Sequence, residues 1–296
     1  MPHDLNPEPA VPADRQWRPW GKGLLPVLPS AATYDRLERF TFDTRSGAPL
    51  AVEEAWGVRR TSESHAAAWH ILLLMALTGR NLQWDILDAE QDRMPFTERQ
   101  VALGTKAYRQ DNALRILRRH DCLERHHSRI GNVRCDWLRL TQRARALLAD
   151  IGIEAVESDW DRMLALHDPQ GDQTRHTLHC LAAARLARGR GWEARLVPPE
   201  QPLVDLRLTP PGRAPIYVEC EARAPQRAFR RIRKWERLAR LQGYCAVIAT
   251  RPQALRDLAG EIRLAYRLPC AGADLETLIA HPDSPFWSTD DREPPC

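Results

Sequence analysis

The sequence predicts an α/β fold, α+β overall, built as a helical unit with one β-hairpin followed by a unit around a mixed sheet. Three observations predict it. Between Thr61 and Ile153 the apolar residues recur at helical spacing, broken by a single pair of alternating runs around Ile130-Gly131-Asn132. From Gln173 onward helical and strand patterns alternate, which builds a sheet covered by helices. Between them, residues 154–172 read as a turn-rich linker ending in His167-Asp-Pro-Gln-Gly-Asp.

The chain has 296 residues, long enough for two cores, with 43% hydrophobic and 28% charged residues, the balance of a globular protein. A formal net charge of +4 permits a nucleic-acid partner without requiring one. The seven cysteines are an odd number with no C-x-x-C pair and no close spacing, which fits a reducing cytoplasm. The longest apolar run, Ile71 to Leu77, is too short to span a bilayer, so no membrane association is expected and the protein is expected in the cytoplasm.

Residues 1–60 are rich in Pro and Arg and read as a partly disordered extension. Helices are expected from Ser64 to Leu77, stopped by Thr78-Gly79, from Asn81 to Gln91, and around Tyr108 to Leu117. Strands Leu123–Arg129 and Val133–Leu140 then form the hairpin, and Thr141 caps a helix that stops at Gly152. Three helices, a hairpin with basic residues near its tip and a closing helix resemble a winged helix-turn-helix over residues 61–153. That resemblance implies double-stranded DNA as partner. Lys106, Arg109, Gln110 and Arg115 of the third helix and Arg129 of the hairpin have the side chains that contact phosphates and base edges.

The second unit is expected over 173–282, with 283–296 as a tail. It opens with a helix carrying His176 and His179, which read as helix-packing or hydrogen-bonding histidines because no third ligand lies nearby in sequence. Strand Trp192–Val197 follows, then Leu203–Leu208 and Pro215–Ala222 joined by Thr-Pro-Pro-Gly. Alternation puts Tyr217, Glu219 and Glu221 on one face of their strand, and Asp205 joins them when the first strand pairs alongside. Desolvating unpaired charge is costly, so three carboxylates here call for a metal, a base or hydrogen-bond partners. The helix Gln226–Gln242 follows, with a buried stripe expected through Ala228, Ile232, Trp235 and Ala239. That stripe turns Lys234 away, onto a basic face with Arg227, Arg230 and Arg237, and the basic helix, with Arg227, Arg230 and Arg231, suits phosphate contacts. Only three of the 43 basic Lys and Arg residues are lysines, so Lys234 is not background. A strand Tyr244–Thr250, a helix Gln253–Tyr266 and a last helix Leu275–Ile279 complete the expected order.

An acid, a turn, Glu-x-Glu and a basic helix resemble the PD-(D/E)xK nuclease-like, or restriction-endonuclease-like, α/β fold. That resemblance implies Asp205 and Glu219 as ligands of Mg²⁺ or Mn²⁺. Glu221 occupies the position where the family has its Lys, and Lys234 is the substitute available from the following helix. Glu221 is the alternative base. The pieces HTLHCLAAARL, GWEARL, VDLRL, YVECEAR and RRIRKWERLARLQGYCAVIAT, taken in order, resemble the replication-relaxation family of plasmid and mobile-element proteins, with Val204 standing where that family has Pro. The resemblance implies DNA handling in replication, relaxation or mobilisation, with replication or transfer proteins as further partners. The position of Glu221 and the phase of Lys234 place DNA binding ahead of a metal-dependent endonuclease at Asp205 and Glu219, with a protein-interaction adaptor third.

Overall fold

A computed structural model describes residues 32–33, 56, 63–93, 105–221 and 231–290 of the chain. Arg227, Ala228 and Arg230 and the side chain of Lys106 lie outside them. Helices α1 (Glu63–Thr78), α2 (Gln83–Arg93) and α3 (Thr105–Arg119), strands β1 (Leu123–Ile130) and β2 (Val133–Leu140), and helix α4 (Gln142–Asp150) follow in the expected order. Gly79 and Gly131 hold φ of 63° and 56°, the left-handed conformation that ends α1 and turns the hairpin. Thr141 accepts from the Ala144 amide at 3.1 Å and caps α4. Apolar side chains of α1, α2, α3 and α4 share one core with Leu123, Leu138 and Leu140 of the hairpin. Trp56, inside the expected extension, is buried in that core and stacks on His120 with ring centroids 5.6 Å apart.

The linker contains helix α5 (Asp159–Leu166). Ser158 caps it by accepting from the Asp161 amide, and the Asp161 side chain accepts from the Ser158 amide in return. Its Trp160 and Met163 are buried. Helix α6 (Thr174–Arg188) then leads into a six-stranded sheet in spatial order β3 (Glu193–Leu196), β4 (Leu206–Thr209), β5 (Ile216–Glu221), β6 (Cys245–Ala249), β7 (Cys270–Asp274) and β8 (Thr289–Asp290). β3 to β5 are antiparallel, β5 to β7 parallel, and β8 antiparallel, so the sheet is mixed. Helix α7 (Ile232–Gln242) crosses from β5 to β6, and helix α8 (Pro252–Gly260) with a π-helical turn (Glu261–Ala265) crosses from β6 to β7. Helix α9 (Leu275–Ala280) completes the order.

Two layers cover this sheet. Ala246 and Ile248 face α6, while Cys245, Val247 and Ala249 face Trp235 and Leu238 of α7 and Leu255 and Leu258 of α8. β7 and β8 were not foreseen. β7 is Cys-Ala-Gly-Ala-Asp and lacks the branched residues that mark a strand, and a Cβ on its Gly272 would meet Leu255 at 2.6 Å. The expected tail instead returns to the sheet edge, where Phe286 is buried.

The two units are not separated by a free linker. Ile130, Cys135 and Trp137 of the hairpin and Trp160 and Met163 of α5 belong to the same apolar cluster as the α6 face of the sheet. Asn81 donates to the Leu138 carbonyl at 2.9 Å and accepts from the Trp160 amide at 3.3 Å. A buried ion pair, Arg185 Nε to Asp85 at 2.6 Å, ties α6 to α2.

Candidate functional site

Glu219 and Glu221 leave β5 on the α7 side, and pairing of Leu206 with Val218 brings the preceding Asp205 beside Glu219. The three expected carboxylates therefore meet at the carboxyl end of β5. Asp205 and Glu219 are 3% and 1% exposed, an arrangement that unpartnered charge does not survive. The partners come from both layers.

Lys234 is the first. Its Nζ lies 2.8 Å from Glu219 Oε2 and 2.8 Å from Glu221 Oε1. This corrects the expected solvated position. The buried stripe of α7 runs through Arg231, Trp235 and Leu238, while Ile232 is 38% exposed. Lys234 thus flanks the buried face, and its long arm reaches back to the acids. Arg237 Nη2 binds the other Glu219 oxygen at 2.8 Å. Burial lowers the Lys234 pKa, but the charges of Glu219, Asp205 and Glu221 outweigh it, so the ammonium is held charged.

The second set of partners is a pair of histidines, of which His176 fits its reading as a hydrogen-bonding histidine while His167 carries no sequence signal. His167, at the end of α5, and His176, on α6, place Nδ1 and Nε2 at 3.3 and 3.1 Å from the same Asp205 oxygen. The other Asp205 oxygen accepts from the Cys220 amide at 2.8 Å. Burial pushes Asp205 up, but hydrogen bonds from His167 and His176 and the charges of His176 and Lys234 hold it well below the usual carboxylate range. The hydrogen bond to Asp205 raises His167. Burial lowers His176, and its bond to Asp205 more than offsets that. For Glu219, burial and then the Asp205 charge push the pKa up to about 8. Neighbouring carboxylates repel, and this pair splits accordingly.

His167, His176 and Asp205 each offer one ligand atom, and all three lie within 4.8 Å of one another. Their surroundings fit a metal ion. His167 Nε2 sits 3.0 Å from the Pro202 carbonyl, which orients the ring with Nδ1 toward Asp205. Two imidazoles and a carboxylate suit Mn²⁺ or Zn²⁺ better than Mg²⁺, which prefers oxygen. Cys180, Cys220 and Asp205 also converge, but burial raises the Cys180 thiol, and Cys220 is raised too, so both stay protonated. The expected Asp205 and Glu219 ligand pair fits less well, because Lys234 and Arg237 occupy both Glu219 oxygens.

No family model, curated protein or solved structure matches this chain.

The expected DNA-contact residues scatter. Arg109 and Gln110 are turned inward, 7% and 8% exposed, and Gln110 Nε2 donates to the Leu87 carbonyl at 3.0 Å. Arg231 is buried as well, paired with Glu261 and set against the Trp235 ring. Gln110 and Arg231 tie their helices to neighbouring ones. Arg115 is exposed, alongside Arg118 and Arg119 on the same helix, and Arg129 is exposed at the hairpin tip. An amphipathic count assigned Arg109 and Gln110 to the outer face because arginine and glutamine are read as polar whatever they touch.

Proposed function

We propose that this chain handles DNA as a metal-dependent phosphodiesterase, with a nuclease-like α/β unit as its centre and a winged helix-turn-helix as its second unit. The observation that carries this reading is Lys234, which reaches from α7 to bridge Glu219 and Glu221 beside Asp205. A structural ion pair needs one acid; here one ammonium serves two, next to a third that is 3% exposed. The resemblance of the quoted motifs to the replication-relaxation family supports a role in plasmid replication, relaxation or mobilisation.

Asp205, His167 and His176 would hold the metal. Bound there, it would supply Lewis-acid activation of water and offset charge building on the phosphoryl oxygens. Lys234 holds a fixed positive charge at the mouth of the acids and orients Glu219 and Glu221. Glu219, bound by Lys234 and Arg237, sets the position of both cations beside Asp205.

A second reading, DNA binding without cleavage, is favoured by Arg237, which with Lys234 leaves neither Glu219 oxygen free. Supercoiled plasmid and short duplexes incubated in EDTA, Mg²⁺, Mn²⁺ or Zn²⁺, with mobility shift and cleavage both followed, separate the two. The expected result is cleavage in Mn²⁺ or Zn²⁺ that falls about a hundredfold in Glu219→Gln and in Lys234→Met while the shift persists. A salt-sensitive shift with no cleavage in any metal selects the second reading. Neither shift nor cleavage, with a copurifying protein, selects an adaptor.

A further inference from the structure

Beside the carboxylate centre, a cleft of 610 Å³ opens between the hairpin tip and the α/β unit. That volume falls within the range of ligand sites. Its walls come from four places that are far apart in sequence. Arg129 stands on the hairpin, Thr174 and Arg175 open α6, Thr250 and Arg251 follow β6, and Leu275 follows β7. The cleft thus lies at the carboxyl ends of two parallel strands, where open α/β sheets place their ligands.

The charges of this cleft are unusual in the molecule. Many of its arginines are matched by acids, such as Arg125 with Asp136, Arg139 with Asp161 and Arg188 with Asp159. Arg129, Arg175 and Arg251 all line the cleft, and none forms an ion pair among the described residues. Glu276 is the lining carboxylate, and it lies against Gly131 rather than against an arginine. Three like charges set around one hollow repel unless an anion sits among them. The helix starts there are also open. Neither Gln173 before α6 nor Arg251 before α8 caps its helix with a side chain, so the positive ends of two helix dipoles face the cleft without a capping side chain. His179 also lines the cleft at 4% exposure, a buried neutral imidazole set against the Ala249 carbonyl.

We infer that this cleft holds a backbone phosphate of a nucleic-acid strand, adjacent in the strand to the phosphate at the Asp205 centre. The inference rests on the proposed function for its choice of ligand. His179 and His176 sit three residues apart on α6, about one helical turn. One face of α6 therefore serves both places, with His176 on Asp205 and His179 in the cleft. Arginine guanidinium groups match phosphate oxygens two at a time.

The test uses the full chain in EDTA, so that binding is read without cleavage. Fluorescence anisotropy with a labelled single strand and a labelled duplex is recorded across a salt series for wild type, the double variant Arg175→Ala/Arg251→Ala, and Arg213→Ala. Arg213 is an exposed arginine in the turn before β5, at the other end of that strand. The double variant is expected to bind about tenfold more weakly, with a salt slope smaller by about 2. Arg213→Ala is expected to bind as wild type does. A double variant that binds as wild type, or a loss of equal size in Arg213→Ala, overturns the cleft. If plasmid cleavage then persists, the proposed function survives that loss. Wild type that neither binds nor cleaves overturns both, and binding of inorganic phosphate without binding of either oligonucleotide overturns the nucleic-acid assignment.

Discussion

Lys234 carries two carboxylates on one ammonium and is 26% exposed, which makes it the residue most sensitive to loss of charge. Lys234→Met would leave Glu219 with Arg237 alone and Glu221 with no cation shown beside it. The expected cost is about 3 kcal/mol in urea unfolding, in line with removing one partner of a buried pair, and Lys234→Arg should recover most of it. A cost near zero would mean that solvent already satisfies these acids. The acids themselves were legible, because period-two alternation in β5 fixes the face of Glu219 and Glu221 whatever surrounds them. The phase of Lys234 was not. Counting from Ile232 puts it roughly 120° from the stripe, whereas Trp235 and Leu238 define a stripe roughly 70° away. The meeting of the histidines with Asp205 was hidden for a different reason: His167 and His176 reach it across α5, α6 and the approach to β4, and sequence spacing carries no trace of that.

At the scale of elements, α5 turns an expected linker into a joint. Asp161 caps α5 with Ser158, accepts from Arg139 of β2 at 2.8 Å and pairs with Arg145 of α4. Burial raises its pKa, but the Ser158 hydroxyl and the two guanidinium groups hold it below the usual carboxylate range. A folded pKa below the unfolded one means that this stability is present above the ordinary carboxylate pKa and is lost as pH falls through the folded value. Asp161→Asn is therefore expected to cost about 2 kcal/mol at neutral pH. The gap between variant and wild type should close in acid, where wild-type Asp161 is protonated too; an undiminished gap there would assign the effect to packing. The cap was readable in Ser158-x-x-Asp161 ahead of an apolar run. The burial of Trp160 was not, because it depends on the hairpin and α6 arriving on either side.

The whole molecule is joined by the pair Asp85 and Arg185, 6% and 7% exposed at their side chains. Asp85→Asn or Arg185→Met alone should destabilise by about 3 kcal/mol, and the double change to leucines by much less, because the isolated charge is what costs. A double-mutant cycle of Asp85→Leu, Arg185→Leu and their combination by thermal unfolding reads the difference, and additive losses would mean that the two side chains do not depend on each other. The order of elements in each unit was legible from periodicity and turn residues. Their fusion was not, since Ile130, Cys135 and Trp137 read as ordinary alternating strand positions until the facing surface is known.

That fusion constrains how the chain can change. DNA readers often acquire new targets by exchanging a self-contained reading head. Here the hairpin is walled into the sheet's own core, so a transplanted head would tear Ile130 and Trp137 out of it. Under the proposed function, new specificity would come by substitution along the exposed Arg115, Arg118 and Arg119 rather than by exchange of the hairpin.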